Sequence, residues 1–302
     1  MERTKAIHVI AGPTASGKSA LALARARENN GVVINADSMQ IYDALPILTA
    51  QPAEEDKAHA PHLLYGIRHP NEWCSAGNWR ELAMQSIEDV LAQEKTPVVC
   101  GGSGLYLKAL MEGFSPIPDI PVHVRQEVIA LQERLGNPAF YEALRERDPV
   151  MAARLHPHHT ARLIRAYEVI EATGRSLAEF QAMPKEDPPA HWHFDVTVLM
   201  PDKRALDARC DARFLHMLDR GALDEVEAFR KRGDIAPDAL IHRALGLQPL
   251  LRWMAGDIGR DEAVTRGQTD TRQYAKRQMT WFRHQIKPAP ATTVRMLTAS
   301  PA

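Results

Sequence analysis

The segment Gly12-Pro13-Thr14-Ala15-Ser16-Gly17-Lys18-Ser19 constrains this chain more than any other, because it fits the spacing G-x-x-x-x-G-K-[ST]. Residues 6–11 (AIHVIA) read as a short buried strand. SALALARARENN, from Ser19, has the length and composition of a helix. Between a strand and a helix, the glycines let backbone N–H groups turn inward around phosphate oxygens. The helix N-terminus adds a favourable dipole, Lys18 supplies a point charge, and the Ser19 hydroxyl is a ligand for Mg2+. The pattern reads as a site for phosphate or diphosphate with a metal, and it does not specify ATP. The alternative is a glycine turn with a chance lysine. The agreement of spacing and flanks favours the phosphate site.

The same alternation continues downstream. VVINAD (32–37) and TPVVC (96–100) are short apolar runs, and the second leads through GGSG into LYLKALMEG. Short apolar strands alternating with helices predict an α/β fold with a mostly parallel sheet. Two proline clusters, SPIPDIP (115–121) and PKEDPP (184–189), bracket a stretch of almost purely helical character. The expected architecture is a P-loop NTPase-like parallel sheet core over 1–115 and 190–302, with an inserted all-helical domain over 116–189. HFDVTVLM (193–200) reads as a strand returning to the core, 202–287 as helical, and the Pro/Thr/Ala-rich end from about 288 as frayed.

Composition narrows the function classes. With 37 Lys+Arg against 38 Asp+Glu in 302 residues, a uniformly basic nucleic-acid binder is excluded, although a local basic face is not. Cys74, Cys100 and Cys210 lie far apart with no C-x-x-C, which suits a reducing compartment and disfavours a disulfide framework. No run of about 18 apolar residues exists to cross a membrane. The first residues do not read as a signal peptide. The expectation is a cytoplasmic protein.

Several residues are candidates for chemistry. Asp37 ends the second strand, and ligands of open α/β sheets sit beyond the carboxyl ends of strands. Its roles on position alone are metal ligand, general base, or helix N-cap. Ser103, in Gly101-Gly102-Ser103-Gly104, offers a hydroxyl at a helix start, for a ligand or as a cap. From Arg266 to Lys287 six basic residues accompany Asp270, with Arg272, Lys276 and Arg283 on one face and Tyr274, Trp281 and Phe282 interleaved. That pattern fits an RNA-facing surface or a solvated helix with core aromatics. Arg213 either reaches the phosphates or pairs with Asp207 or Asp211. His156, His158 and His159 lack metal-site spacing and read as a polar loop, while His191 and His193 read as surface or packing residues.

Taken together, these segments resemble the tRNA dimethylallyltransferase (tRNA isopentenyltransferase) family. GPTASGKS matches its first motif. NADSMQIY (35–42), TAQP (49–52), CGGSGLYLKAL (100–110), DPVMAARLHPHHTARLIRAYEV (148–169), RFLHML (213–218) and TRQYAKRQMTWFR (271–283) follow in family order. The resemblance implies transfer of a dimethylallyl group from dimethylallyl diphosphate to the exocyclic amine of the adenosine 3′ of the anticodon, with loss of diphosphate. It implies that Gly12, Pro13, Thr14, Ala15, Ser16, Gly17, Lys18 and Ser19 bind diphosphate, with Ser19 on Mg2+. It makes Asp37 the proton acceptor and Arg213 a second diphosphate ligand, and it places Ser103 at the target nucleotide. Contact with the tRNA anticodon stem-loop falls to Asp37, Ser38, Met39, Gln40 and Ser103, to Arg125, to Arg162, Leu163, Ile164, Arg165 and Ala166, and to Arg243, Ala244, Leu245 and Gly246.

The sequence departs from the family pattern at Leu48, Gln51, His158-His159 and Leu247-Gln248. These changes bear on tRNA affinity more than on chemistry. No zinc-finger extension follows, as in the bacterial form, and a monomer is expected. The competing reading is a P-loop small-molecule kinase of nucleotide type, with the inserted domain as its lid. A P-loop RNA-binding module without turnover is the non-enzymatic alternative.

Overall fold

Lys5–Ala11 (β1) is apolar from Ile7 onward apart from His8, and a strand with both faces covered needs such a run. The computed structural model describes residues 4–298. From β1 the chain continues through α1 (Lys18–Glu28), β2 (Gly31–Asn35), the short helices α2 (Pro46–Thr49) and α3 (Glu54–His59), and β3 (His62–Leu63). Next come α4 (Ala76–Ala92), β4 (Thr96–Gly101) and α5 (Gly104–Glu112). Helices α6 (Val122–Arg147), α7 (Pro149–Ala152), α8 (Thr160–Thr173) and α9 (Leu177–Ala182) follow. The chain then runs through β5 (Trp192–Leu199), α10 (Lys203–Asp219), α11 (Ala222–Lys231), α12 (Leu247–Met254), α13 (Arg260–Gln285) and β6 (Thr292–Leu297).

Two compact units emerge: Met1–Met111 with Pro188–Ala302, and Glu112–Asp187. In the first, all six strands are parallel, in the order β3-β2-β4-β1-β5-β6. One face packs Ile7, Val9, Ile34, Val99, Phe194 and Val196 with Trp79 and Ile87 of α4. The other packs Ile10, Val33, Val98 and Cys100 against Ala22 and Ala26 of α1. Apolar layers on both faces leave the carboxyl edge of the strands as the place where polar loops meet.

The second unit has its own core, built on Phe140, Leu144, Leu163, Ala166 and Val169. Helix α6 is kinked at Gly136, whose φ of 69° and ψ of 164° lie outside the helical range, and Pro138 follows. Buried Asp148 caps α7 by accepting the Met151 N–H at 2.9 Å, and it takes the Ser176 hydroxyl at 2.8 Å.

The structure corrects two of the sequence expectations and adds one strand. Residues from 288 are not simply frayed: Thr292–Leu297 form a parallel edge strand on β5, with Val196 opposite Val294. Residues 299–302 lie outside the described ones. The second strand stops at Asn35, so Asp37 stands beyond it on the loop. The two-residue strand β3, paired with Val33 and Ile34, carries too little pattern to be read in advance.

Candidate active site

Four loops or helices bring the sequence candidates together at the carboxyl ends of the strands. After β1, the chain turns through Ala15 (φ 59°) and Gly17 (φ 90°) into α1. Gly17 takes the left-handed conformation that glycine adopts without a Cβ penalty. Lys18 curls back so that its Nζ donates to the Pro13 carbonyl at 3.3 Å. The Ser16 hydroxyl is buried without a hydrogen-bond partner among the described residues. A Cβ on Gly12 would lie 2.8 Å from that oxygen, so the hydroxyl borders the hollow of the loop. A buried orphan donor beside a partly buried ammonium suits a phosphate oxygen.

Asp37 is held by its neighbours. Its carboxylate Oδ1 accepts the Met39 N–H at 3.0 Å, an Asx turn that fixes the side chain. No helix starts at Asp37, so the N-cap reading open at the sequence level does not hold: the carboxylate closes a turn instead, and Oδ2 is left for chemistry. The adjoining Ser38 N–H donates to Ser103 Oγ at 2.9 Å, and the two hydroxyls lie 3.3 Å apart. Ser103 is thus tied to the Asp37 loop. Gly101 makes that approach possible, because a Cβ there would fall 2.0 Å from the Ala36 carbonyl oxygen.

Charge also converges here. Burial lowers the Lys18 pKa, Asp37 and Cys100 act against that shift, and Arg213 adds to it. Burial likewise lowers the Arg213 pKa, with Asp37 opposing. Lys18, Asp37 and Arg213 therefore lie within range of one another's charge. The neighbours Arg213 was weighed against are taken: Asp207 pairs with Lys203 at 2.6 Å, and Asp211 pairs with Arg272. The second cation thus stands with Lys18 and Asp37. Burial pushes the Cys100 thiol up to about 11, which keeps it protonated and inert beside Lys18.

Other candidates lie elsewhere. Arg272 is spent on Asp211 and the Thr269 hydroxyl, so it leaves the exposed basic face to Lys276 and Arg283. Arg243 and Gly246 line a cleft of about 180 Å3 with His242, Asp270, Gln273 and Arg277 of α13. In the helical unit, Arg125 and Arg165 both lie 3.4 Å from buried Glu168, and Arg162 is exposed. The side chains of Leu163 and Ala166 are buried in that unit's core. Of the α8 residues singled out in the sequence, Arg162 is exposed and Arg165 half-buried, while Leu163 and Ala166 present no side chain to solvent. His191 and His193 make local contacts, with Glu88 at 3.4 Å and with the Thr293 hydroxyl at 3.0 Å.

Sequence reasoning missed Asn35 and Gln278. Each is a neutral polar residue fully or nearly buried beside the site. For Gln278 the available signal was an amide on the inward face of a helix. As for metals, no group of three or more His, Cys, Asp or Glu suited to one exists among the described residues. Ser19 is exposed at the start of α1, where a metal held by its hydroxyl would take most of its ligands from phosphates and water.

A phosphate cradle, two cations and one carboxylate at the carboxyl edge of a parallel sheet define a P-loop enzyme acting on a phosphorylated substrate. The IPP transferase family model matches residues 40–285. The chain is 51% identical over 279 residues to a tRNA dimethylallyltransferase of Paramagnetospirillum magneticum, covering 92% of this chain and 88% of that one. It is 48% identical to a tRNA dimethylallyltransferase of Rhodospirillum centenum, covering 96% and 92%. Among solved structures, a tRNA isopentenylpyrophosphate transferase of Bacillus halodurans aligns with a TM-score of 0.66 at 30% identity, over 98% of this chain and 91% of that one. A eukaryotic dimethylallyltransferase acting on tRNA aligns with a TM-score of 0.75 at 29% identity, over 92% and 70%. The chain belongs to the IPP transferase family, with the tRNA dimethylallyltransferases.

Proposed function

We propose that this protein transfers the dimethylallyl group of dimethylallyl diphosphate to the exocyclic amine of the adenosine 3′ of the anticodon in tRNA. The observation that carries this reading is the convergence of Lys18, Arg213 and Asp37, with Ser103 tied to the Asp37 loop. The cradle Gly12–Ser19, Lys18 and Arg213 hold the diphosphate and take up the charge that develops as the carbon–oxygen bond breaks. The amine nitrogen attacks the allylic carbon, and its proton passes to the Asp37 carboxylate. An adenine amine is a weak nucleophile, so alignment and leaving-group stabilisation supply most of the rate. Ser19 would hold Mg2+, which supplies further charge neutralisation to the diphosphate when bound.

The target adenosine leaves its stack to enter the site, at a cost of a few kcal/mol that is smaller in a loop than in a duplex. Ser38, Met39, Gln40 and Ser103 line its approach, and Arg125, Arg162, Arg165 and the Arg243–Gly246 segment bind the anticodon stem-loop. The protein acts as a monomer in the cytoplasm. Three buried free cysteines accord with a reducing compartment, and no helix among the described residues is long and apolar enough to cross a membrane. The test is mass spectrometry of digested tRNA after incubation with the protein, Mg2+ and dimethylallyl diphosphate. A five-carbon mass gain on the adenosine 3′ of the anticodon is expected. A folded protein that gives no gain but transfers phosphate from ATP would overturn the reading in favour of a kinase.

A further inference from the structure

Gln278 sits on α13, far along the chain from the phosphate cradle and the Asp37 and Ser103 loops, yet it is only 6% exposed and both ends of its amide are engaged. Its Oε1 accepts the Thr14 N–H at 2.8 Å, and its Nε2 donates to the Gly102 carbonyl at 2.9 Å. The orientation of the amide is fixed by its partners, since an N–H only donates and a carbonyl only accepts. Thr14 belongs to the phosphate cradle after β1. Gly102 adjoins Ser103 after β4, and Ser103 Oγ accepts the Ser38 N–H beside Asp37 after β2. One side chain therefore joins the loop that holds the leaving group to the loops that carry Ser103 and Asp37. One turn further along α13, Trp281 lies over Gly104, where an added Cβ would meet its ring at 2.3 Å. The helix thus supports the Gly102–Gly104 loop at two points.

We propose that Gln278 is a positioning residue that sets the diphosphate cradle against the Asp37–Ser103 pair, and so aligns donor with acceptor. The inference rests on the transfer reaction proposed above. Gln278 touches neither reactant; it acts through Thr14 and Gly102. A ligand still meets Lys18, Ser16 and Arg213 when the amide is gone, so the loss falls on transfer rather than on diphosphate binding. Misplacement of reacting groups by about 1 Å can cost roughly a hundredfold in rate.

The test compares the full-length wild type with Gln278→Met and Gly102→Ala in single-turnover transfer to tRNA, with dimethylallyl diphosphate affinity measured separately by calorimetry. Gln278→Met nearly keeps the volume and removes both hydrogen bonds. Gly102→Ala keeps Gln278 but places a Cβ 2.4 Å from its Nε2, the far end of a flexible side chain, and 3.3 Å from the Gly12 carbonyl oxygen, so the amide is displaced with only a small adjustment of backbone. Both variants are expected to slow transfer roughly tenfold or more, with diphosphate affinity within about threefold of wild type. Should Gln278→Met fail to fold, Gly102→Ala decides alone. Transfer within about twofold of wild type in the folded variants, or a loss of diphosphate affinity that accounts for the whole deficit, overturns the positioning role. A wild type that gives no prenylated tRNA overturns the transfer reading itself, and the positioning role with it.

Discussion

Asn35 grips the backbone of Asp37 on both sides: its Oδ1 accepts the Asp37 N–H at 2.8 Å, and its Nδ2 donates to the Asp37 carbonyl at 3.0 Å. The same Nδ2 donates to the Leu64 carbonyl at 3.0 Å. Asn35 is fully buried. The loop that carries the carboxylate proposed as proton acceptor is therefore held by a fully buried side chain behind it. Asn35→Asp keeps the size but cannot donate to either carbonyl. It is expected to cost about 1–3 kcal/mol of stability, read as a lower Tm, and to reduce kcat while diphosphate affinity changes little. An unchanged kcat in a folded variant would contradict this.

Asp37 and Arg213 should fail in opposite ways. Asp37→Ala is expected to slow single-turnover transfer by roughly a hundredfold or more, with dimethylallyl diphosphate affinity nearly intact. Arg213→Ala is expected to weaken that affinity by roughly tenfold or more. Titration calorimetry alongside rapid-quench transfer separates the two. A collapse of binding in Asp37→Ala would remove the base assignment.

Lys18 gives the site an alkaline limit. Burial holds its pKa below the ordinary 10.5. In the proposed site the charged form binds diphosphate, so affinity is expected to be full below the lowered pKa and to fall as pH rises through it. An incoming diphosphate favours the ammonium, so binding at alkaline pH takes up protons. Calorimetry in buffers of different ionisation heat measures that uptake. Affinity that declines only where a free lysine titrates, without uptake, would show that Lys18 is not the group responsible.

Glu225 makes a different kind of prediction. Its carboxylate accepts the N–H groups of Ile47 at 2.7 Å and Leu48 at 2.9 Å, and burial raises its pKa above the usual 4.5. With the folded pKa raised, the native state keeps a proton that the unfolded chain has lost. This share of stability is present at low pH and disappears as pH rises through the folded pKa. Glu225→Gln should flatten that part of the stability–pH profile, and Glu225→Ala should cost about 1–3 kcal/mol by leaving two amide donors unpaired. Denaturant unfolding at a series of pH values checks both.

Glycine positions can be ranked by what surrounds them. Gly101→Ala drives a Cβ into the Ala36 carbonyl, which is backbone and cannot step aside, whereas Gly233→Ala meets nothing within 4 Å. The first should destabilise by about 3 kcal/mol or more and disturb the Asp37 loop, and the second by almost nothing. Thermal unfolding of the pair suffices.

The sequence made the cradle, Asp37 and Ser103 legible because each lies in a contiguous segment whose spacing expresses its chemistry. The strands read at 6–11 and 96–100 were legible for a related reason, since burial on both faces writes an apolar run, while the one read at 193–200 showed itself by alternation. Gln278 and Asn35 escaped notice because their roles exist only across the fold, between residues distant in the chain or hidden behind a strand end. Strand β6 was obscured by the prolines and alanines around it, although Thr292, Thr293 and Val294 are β-branched. Arg272 looked like part of an RNA face because helical spacing cannot reveal that Asp211 on α10 claims it.

The partnership of β1 with β5 imposes an order on synthesis. His8 pairs with Asp195, and the whole of the helical unit is translated between them. As the chain leaves the ribosome, residues 112–187 can bury Phe140 and Leu144 among their own helices while β1 still lacks one neighbour. Until residues 192–199 emerge, β1 has an unpaired flank, and β5 in turn waits for β6 at the very end. Closing such distant pairings is slow compared with forming local helical contacts. The pairings of β1 with β5 and of β5 with β6 can therefore close only after residues 112–187 have been made, so this half of the sheet is completed last.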